Sequence, residues 1–219
     1  GGIGWTLGIL INYLGKPEGN PVLLFTGTGI IILAILVSMQ SYRKLADHQK
    51  KPSLKGIVLA LLAGLCIAFF YRFVASSLAT DFSPADNGKI SSYTAVVFFS
   101  LGALLSTIII NPFFMVKPVE GAPVRISQWM AGSAKTHLLG MLGGAIWCLG
   151  NSVSFMSVGA ASPAISYGLS NAAPVVAALW GIFVWKEFRE APKGTNMLLA
   201  LMFAFYLAGL ILIVYSRFA

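Results

Sequence analysis

Six apolar runs, each long enough to cross a lipid bilayer, constrain the fold of this chain more than any other feature of its sequence. The runs are Val22–Tyr42, Gly56–Leu78, Ser92–Val116, His137–Val158, Ala161–Trp185 and Met197–Tyr215. A transmembrane helix needs about 20 predominantly apolar residues to cover the hydrocarbon core. A seventh run, Gly2–Leu14, is too short to span alone, and we interpret it as a truncated span. The pattern predicts an all-α membrane protein, a polytopic helix bundle.

The composition excludes the soluble classes of protein. Charged residues make up 10% of the chain and hydrophobic residues 57%, whereas a soluble domain carries about 25% charged residues. The solid apolar stretch Ile30–Val37 lacks the alternation that a transmembrane β-barrel requires. Cys66 and Cys148 both lie in apolar runs, so no disulfide framework is predicted. We therefore interpret the net charge of +8 as a topology signal and predict no nucleic-acid partner.

Lysine and arginine are concentrated on one side of the predicted membrane. Eleven of them lie in the connections 43–55, 117–136 and 186–195, against three in the other connections and the C-terminal tail. Cytoplasmic loops carry the excess of positive charge in membrane proteins. The three basic connections, including Lys193, are therefore predicted to be cytoplasmic, with Asp86 on the outside. The protein is expected in the plasma (inner) membrane.

Two segments of the chain share the same order of parts. Near the start, an apolar run ends in the polar loop Gly15–Asn20, and the next span ends at Tyr42–Arg43. Near the end, a run stops at the polar loop 187–196, and the last span ends at Tyr215–Arg217. Short loops between spans collect such residues in any case, but the shared order favours an internal repeat.

The spacing of these two hairpins defines the repeat unit. Three spans separate them, so the unit has five spans, and an odd number places its two copies in opposite membrane orientations. Inverted repeats are typical of secondary transporters. The predicted divisions are residues 1–42, which close the first repeat, the basic cytoplasmic linker 43–55, and the five-span second repeat 56–219. Three further spans are expected before Gly1, so we interpret the sequence as a fragment of a ten-span protein.

Residues that could carry a reaction are scarce. All seven acidic residues lie in loops or at the ends of spans, so the sequence places no proton-carrying carboxylate at mid-membrane. His48 and His137 do not pair at the spacing of a metal or haem site. We predict no catalytic residue, no metal site and no cofactor, and an intramembrane enzyme is the less favoured class.

Polar residues within the runs His137–Val158 and Ala161–Trp185 form the best candidate binding cluster. Trp147 and Asn151 are four residues apart on one helix face, and Tyr167, Asn171 and Pro174 share a face of the next helix. Asparagine offers a donor and an acceptor, and an aromatic ring offers a stacking surface, which suits a neutral, planar or polyol solute. The alternative is that the asparagines bond neighbouring helices. Pro174 is expected to kink its helix.

Arg72 is the exception among the charged residues, since it lies inside a span. It follows Tyr71 in the aromatic segment Phe69–Phe73, roughly 9 Å from the outer end of the span at helical rise. One interpretation is that it extends to the outer interface. The other, which we favour, is that it donates hydrogen bonds to a carbonyl-rich or anionic substrate, with Tyr71 beside it.

Glycines at short spacing predict close helix packing. The candidates are Gly4 and Gly8 in the first run, and Gly140, Gly143 and Gly144 in a later one.

The segments Trp147–Met156 and Tyr167–Arg189 resemble the ureide permease family of the drug/metabolite transporter superfamily, close to its glucose/ribose porters. The segments Ile11–Leu14 and Lys55–Gly64 are similar to the same family. The resemblance implies a ten-helix secondary carrier with two inverted halves around a cavity. The segments that would wall this cavity are Gly2–Leu14, Gly56–Leu78, His137–Val158 and Ala161–Trp185. The resemblance adds Asn12 and Tyr13 to the candidate substrate-binding residues.

The resemblance also implies a substrate class and a mode of transport. A membrane carrier of small polar metabolites, ureides or nucleobase-like heterocycles, coupled to protons, is the leading expectation. The alternatives are a sugar porter of the glucose/ribose type and a drug or metabolite exporter. Plant members carry a long insert between the halves, and only Arg43–Lys55 fills that position here, so no nucleotide role is carried over.

Overall fold

The structure, a computed structural model, describes residues 2–45, 53–79, 88–170 and 172–219. Within these ranges the chain forms nine helices: α1 (Gly2–Gly15), α2 (Pro21–Leu45), α3 (Leu54–Ser77), α4 (Ser92–Val116), α5 (Ile126–Met130), α6 (Ala134–Ala161), α7 (Pro163–Ser170), α8 (Ala173–Phe183) and α9 (Thr195–Tyr215). One isolated bridge between Leu78 and Ile90 is the sole strand-like pairing in the described part.

The helices confirm the predicted spans. Within the described residues, six segments are long and apolar enough to cross a membrane, namely α2, α3, α4, α6, α9 and the pair α7–α8. Helix α4 has the predicted bounds, and the other spans begin and end within three residues of the predicted ones. Helix α1 is a shorter apolar helix. The chain is therefore an all-α, multi-pass membrane protein.

The chain divides into two compact units, which do not follow the order of the helices along the sequence. The first contains Gly1–Phe73 and Ala161–Ala219, and the second contains Val74–Ala160. The first unit thus holds α1, α2, most of α3 and α7 to α9, while the second is built around α4 and α6. The division into two five-span repeats stays a prediction.

In the first unit, α2 and α9 lie antiparallel and form its most extensive helix contact. A Cβ atom on Gly209 would lie 2.7 Å from the carbonyl oxygen of Gly27, so neither position has room for a side chain at the crossing. At one end of the pair, the backbone N–H of Asn20 donates to the carbonyl of Ser216 at 2.7 Å. The Asn20 side chain also caps α2 by accepting from the N–H groups of Val22 and Leu23.

In the second unit, α4 and α6 are joined by aromatic contacts. The ring of Phe99 on α4 lies 5.5 Å from that of Trp147 and 5.6 Å from that of Phe155 on α6. The Ser92 hydroxyl donates to the carbonyl of Phe155 at 3.3 Å.

The glycines of α6 do not take part in this packing. Side chains added at Gly140, Gly143 and Gly144 would meet no atom of the described residues within 4 Å. The predicted close packing is therefore wrong for these three residues, because their helix face has no neighbour at that distance.

Candidate functional site

Helix α1 approaches α3 and α7 through the glycines of one face. A Cβ atom on Gly4 would lie 2.5 Å from the carbonyl oxygen of Gly64 on α3. A Cβ atom on Gly8 would lie 2.5 Å from the hydroxyl oxygen of Tyr167 on α7, and closer still to two of its ring carbons. The close packing predicted for Gly4 and Gly8 is thus confirmed. The absent side chains leave the space that the Tyr167 ring occupies.

Tyr167 links three helices from a position with no solvent exposure. Its hydroxyl donates to the carbonyl of Gly4 on α1 at 3.2 Å and lies 3.4 Å from the carbonyl oxygen of Ile67 on α3. Its ring lies 5.2 Å from the buried ring of Tyr71. Because a tyrosine has a single hydroxyl proton, the shorter bond to Gly4 is the main one.

Trp5 adds a second side-chain-to-backbone hydrogen bond between α1 and α7. Its indole N–H donates to the carbonyl of Gly168 at 3.3 Å, and the residue is buried. Sequence reasoning missed Trp5 because it lies in the run that is too short to span. The available signal was its spacing of seven residues from Asn12, which places both on one helix face. We refer to Trp5, Asn12, Tyr71 and Tyr167 as the α1 cluster.

Asn12 carries the most unusual polar group of the α1 cluster. The residue has 0% exposure, and its side-chain N–H donates to the carbonyl of Gly8 at 2.8 Å. Its side-chain carbonyl oxygen is buried without a hydrogen-bond partner among the described residues. A buried acceptor without a donor costs about 1–3 kcal/mol, and such groups in native proteins tend to have a functional reason.

Arg72 reaches the same helix one turn further along. The side chain is half-buried, and a Cβ atom on Gly15 would overlap its guanidinium. The guanidinium therefore lies directly against the last residue of α1, where the negative end of the helix dipole favours a cation. The guanidinium makes no hydrogen bond or ion pair with any described residue. The neighbouring Lys16 and Glu18 form a salt bridge with each other, with 2.9 Å between Nζ and Oε1.

Tyr13 lies on another side of α1. Its half-buried ring meets the edge of Phe25 on α2, with the centroids 5.4 Å apart. Consecutive residues of a helix point about 100° apart, so Asn12 and Tyr13 face different neighbours. The structure brings the rings of Tyr71 and Tyr167 together, buries Asn12 one turn along α1 from Gly8, and places Tyr13 against α2 instead.

Trp147 and Asn151 belong to the second compact unit. Trp147 is 53% exposed and packs against Phe99, and the side-chain N–H of Asn151 donates to the carbonyl of Trp147 at 2.9 Å within the same helix. Asn171 lies outside the described residues.

Pro174 lies in the first turn of α8, which begins at Ala173. Proline suits that position because the first N–H groups of a helix have no intrahelical partner. Helices α7 and α8 together make one membrane-length span, Pro163–Phe183. The kink expected at Pro174 stays a prediction.

The acid, histidine and thiol groups give no metal site in the part of the chain that the structure describes. No group of three or more such side chains is close enough to hold an ion.

The sequence model of a known family covers most of this chain. The model of the ureide permease family matches residues 29–216. The chain belongs to the ureide permease family. The matched range includes α3 to α9, and therefore Tyr71, Arg72 and Tyr167, whereas α1 with Asn12 precedes it.

Individual relatives carry the same family name. The chain is 28% identical to ureide permease 1 of Arabidopsis thaliana over 84% of its own length and 47% of the relative. It is 29% identical to ureide permease 4 of the same plant, over 74% of the chain and 40% of the relative. A probable ureide permease A3 of Vigna unguiculata is 28% identical over 66% of the chain. The chain thus spans less than half the length of these relatives, and no solved structure matches it.

Proposed function

We propose that this chain forms part of a secondary transporter that carries ureides and nucleobase-like heterocycles across the plasma membrane. The observation that carries the proposal is the family match over residues 29–216, joined to a polar group buried inside a membrane-length helix bundle. Membership of a permease family favours transport over an enzymatic reaction. A small heterocycle with carbonyl and N–H groups is chemically matched to the aromatic and amide side chains of the α1 cluster.

The proposed substrate site centres on Asn12, Tyr71, Arg72 and Tyr167, which all belong to the first compact unit. Tyr13, Trp147, Asn151 and Asn171 stay proposed substrate-binding residues on the sequence argument alone. Pro174 stays the proposed kink of the span that carries Tyr167.

The proposed architecture is a pair of inverted repeats. The antiparallel packing of α2 and α9 supports it, because inversion of one hairpin relative to the other requires their second helices to run in opposite directions. In this arrangement the basic connections 43–55, 117–136 and 186–195 face the cytoplasm, as the distribution of lysine and arginine favours.

Uptake into cells expressing the protein tests the proposed substrate class. We expect radiolabelled allantoin or uracil to accumulate above the level of cells that lack the protein, and glucose not to do so. Uptake of glucose alone would support the sugar-porter alternative and contradict the proposal.

Proton coupling is tested in the same cells. If transport is coupled to protons, uptake should rise as the external pH falls and should be lost when a protonophore removes the proton gradient.

A further inference from the structure

We infer that Asn12 and Arg72 form the two ends of a site for a urea-type group, in which the Asn12 carbonyl accepts from a substrate N–H and the Arg72 guanidinium donates to a substrate C=O. This inference rests on the proposed function and adds to it the two protein groups that recognise the substrate.

The first step is the unpartnered acceptor at Asn12. The amide nitrogen already donates to Gly8, so the oxygen is fixed in position while it has no donor among the described residues. If Asn12 served only to join helices, its oxygen would accept from a neighbouring helix, as the Gly168 carbonyl does from Trp5. The Asn12 amide is held in place by the bond from its nitrogen, and its oxygen is arranged to accept a hydrogen bond from a ligand.

The second step is the cation at the next turn. Gly15 is three residues beyond Asn12, which corresponds to a rise of about 4.5 Å along one face of α1. Because Gly15 has no side chain, the Arg72 guanidinium can lie against the helix backbone there. The guanidinium has a planar set of donors that suits carbonyl oxygens, and the described residues leave those donors unused.

The third step is the order of contacts along α1. Gly8 meets Tyr167, Asn12 occupies the next turn, and Gly15 meets Arg72, so the face presents an aromatic ring, an acceptor and a donor in sequence. A ureide carries N–H donors and carbonyl oxygens a few ångströms apart, the scale of the rise of about 4.5 Å between Asn12 and Gly15. The acceptor and the donor can therefore act on one small molecule.

The inference is tested with Asn12→Leu, which keeps the number and branching of the side-chain heavy atoms. Loss of the acceptor should raise the Kd for allantoin about tenfold or more. The same substitution removes an unpartnered buried oxygen, so the melting temperature of the purified protein should stay the same or rise. A fall in melting temperature with an unchanged Kd would show that Asn12 is structural and would overturn the inference.

Competition by two related pyrimidines tests the direction of the hydrogen bond. Uracil has N–H donors, and 1,3-dimethyluracil has the same carbonyls without them. We expect uracil to inhibit allantoin uptake by the unsubstituted protein much more strongly than 1,3-dimethyluracil does, and we expect Asn12→Leu to reduce that difference. Equal inhibition by the two compounds in the unsubstituted protein contradicts the proposal that the Asn12 oxygen accepts a hydrogen bond from a substrate N–H.

Arg72 is tested by moving it as well as by removing it. Arg72→Gln removes the charge, while Gly15→Ala keeps the charge and displaces the guanidinium, which can move because it is the end of a flexible side chain. Both should raise the Kd for allantoin, whereas Gly29→Ala, where an added Cβ meets nothing within 4 Å, should not. Unchanged affinity in Arg72→Gln overturns the role of Arg72. If the unsubstituted protein transports no ureide and no nucleobase, it is the proposed function that fails.

Discussion

Replacement of Gly8 by alanine should separate α1 from α7 and lower the thermal stability of the protein. The added Cβ atom would lie 2.5 Å from the hydroxyl oxygen of Tyr167 and closer still to two ring carbons. Favourable contacts between heavy atoms lie at about 3.5–4.0 Å. The ring would therefore have to withdraw by about 1 Å or more from a site in which it is fully buried.

The expected cost follows from the contacts that Tyr167 would lose. Overpacking of a filled interior costs about 1–3 kcal/mol. Loss of the hydroxyl bond to the Gly4 carbonyl adds about 0.6–2 kcal/mol for an interhelical bond in a membrane. The better helix propensity of alanine offsets about 0.5–1 kcal/mol of this destabilisation. The net loss is about 2.5 kcal/mol, which corresponds to a fall in Tm of roughly 5–10 °C for a chain of this size.

Circular dichroism of the purified protein in detergent, followed during heating, measures this change. Gly29→Ala is the matched control, because an added Cβ there meets no atom of the described part of the chain within 4 Å. This substitution should leave the Tm unchanged or slightly higher. When Tyr167 is replaced by leucine, the ring that the added Cβ would overlap is gone. Adding Gly8→Ala to Tyr167→Leu should therefore lower the Tm much less than Gly8→Ala does in the unsubstituted protein. If Gly8→Ala and Gly29→Ala melt within about 1 °C of each other, the close contact between α1 and α7 is refuted.

Three further substitutions test other parts of the structure. Gly27→Ala should lower the Tm more than Gly29→Ala, because its Cβ would lie 2.7 Å from the carbonyl oxygen of Gly209 on α9. Equal Tm values for the two variants would contradict the close crossing of α2 and α9. Asn20→Ala should cost about 1 kcal/mol of unfolding free energy by removing the cap of α2, and Asn20→Asp should keep most of it. Lys193→Cys should react with an impermeant maleimide only after the cells are permeabilised, and labelling of intact cells would reverse the proposed topology.

The spans could be predicted from the sequence because membrane thickness sets their length directly. A bilayer requires about 20 apolar residues for each crossing, and this requirement does not depend on which helix is the neighbour. Helix α4 therefore has the predicted bounds, and the ends of the other spans differ by no more than three residues. The differences lie at helix ends, where capping by residues such as Asn20 determines the first turn.

The contacts between helices could not be predicted in the same way, because a glycine pattern does not say what lies opposite. Gly4 and Gly8 meet α3 and α7, whereas Gly140 and Gly144, at the same spacing, have open space beside them. A glycine removes a side chain from its own helix, and the partner that fills the space depends on the tertiary fold. The same reasoning applies to Arg72, whose depth in its span was evident from the sequence, but whose contact with the backbone at Gly15 was not.

Two asparagines show why the candidate site could be predicted only in part. Asn12 and Asn151 make the same local bond, in which the side-chain N–H donates to the carbonyl four residues earlier. Nothing in the sequence around either residue separates them, since this bond depends on the helix alone. They differ in what surrounds the rest of the amide: Asn12 is fully buried and its oxygen has no partner among the described residues, whereas Asn151 is half-buried. An unpartnered acceptor is costly only where water cannot reach it, so it is the burial of Asn12 that makes its open oxygen evidence for a ligand.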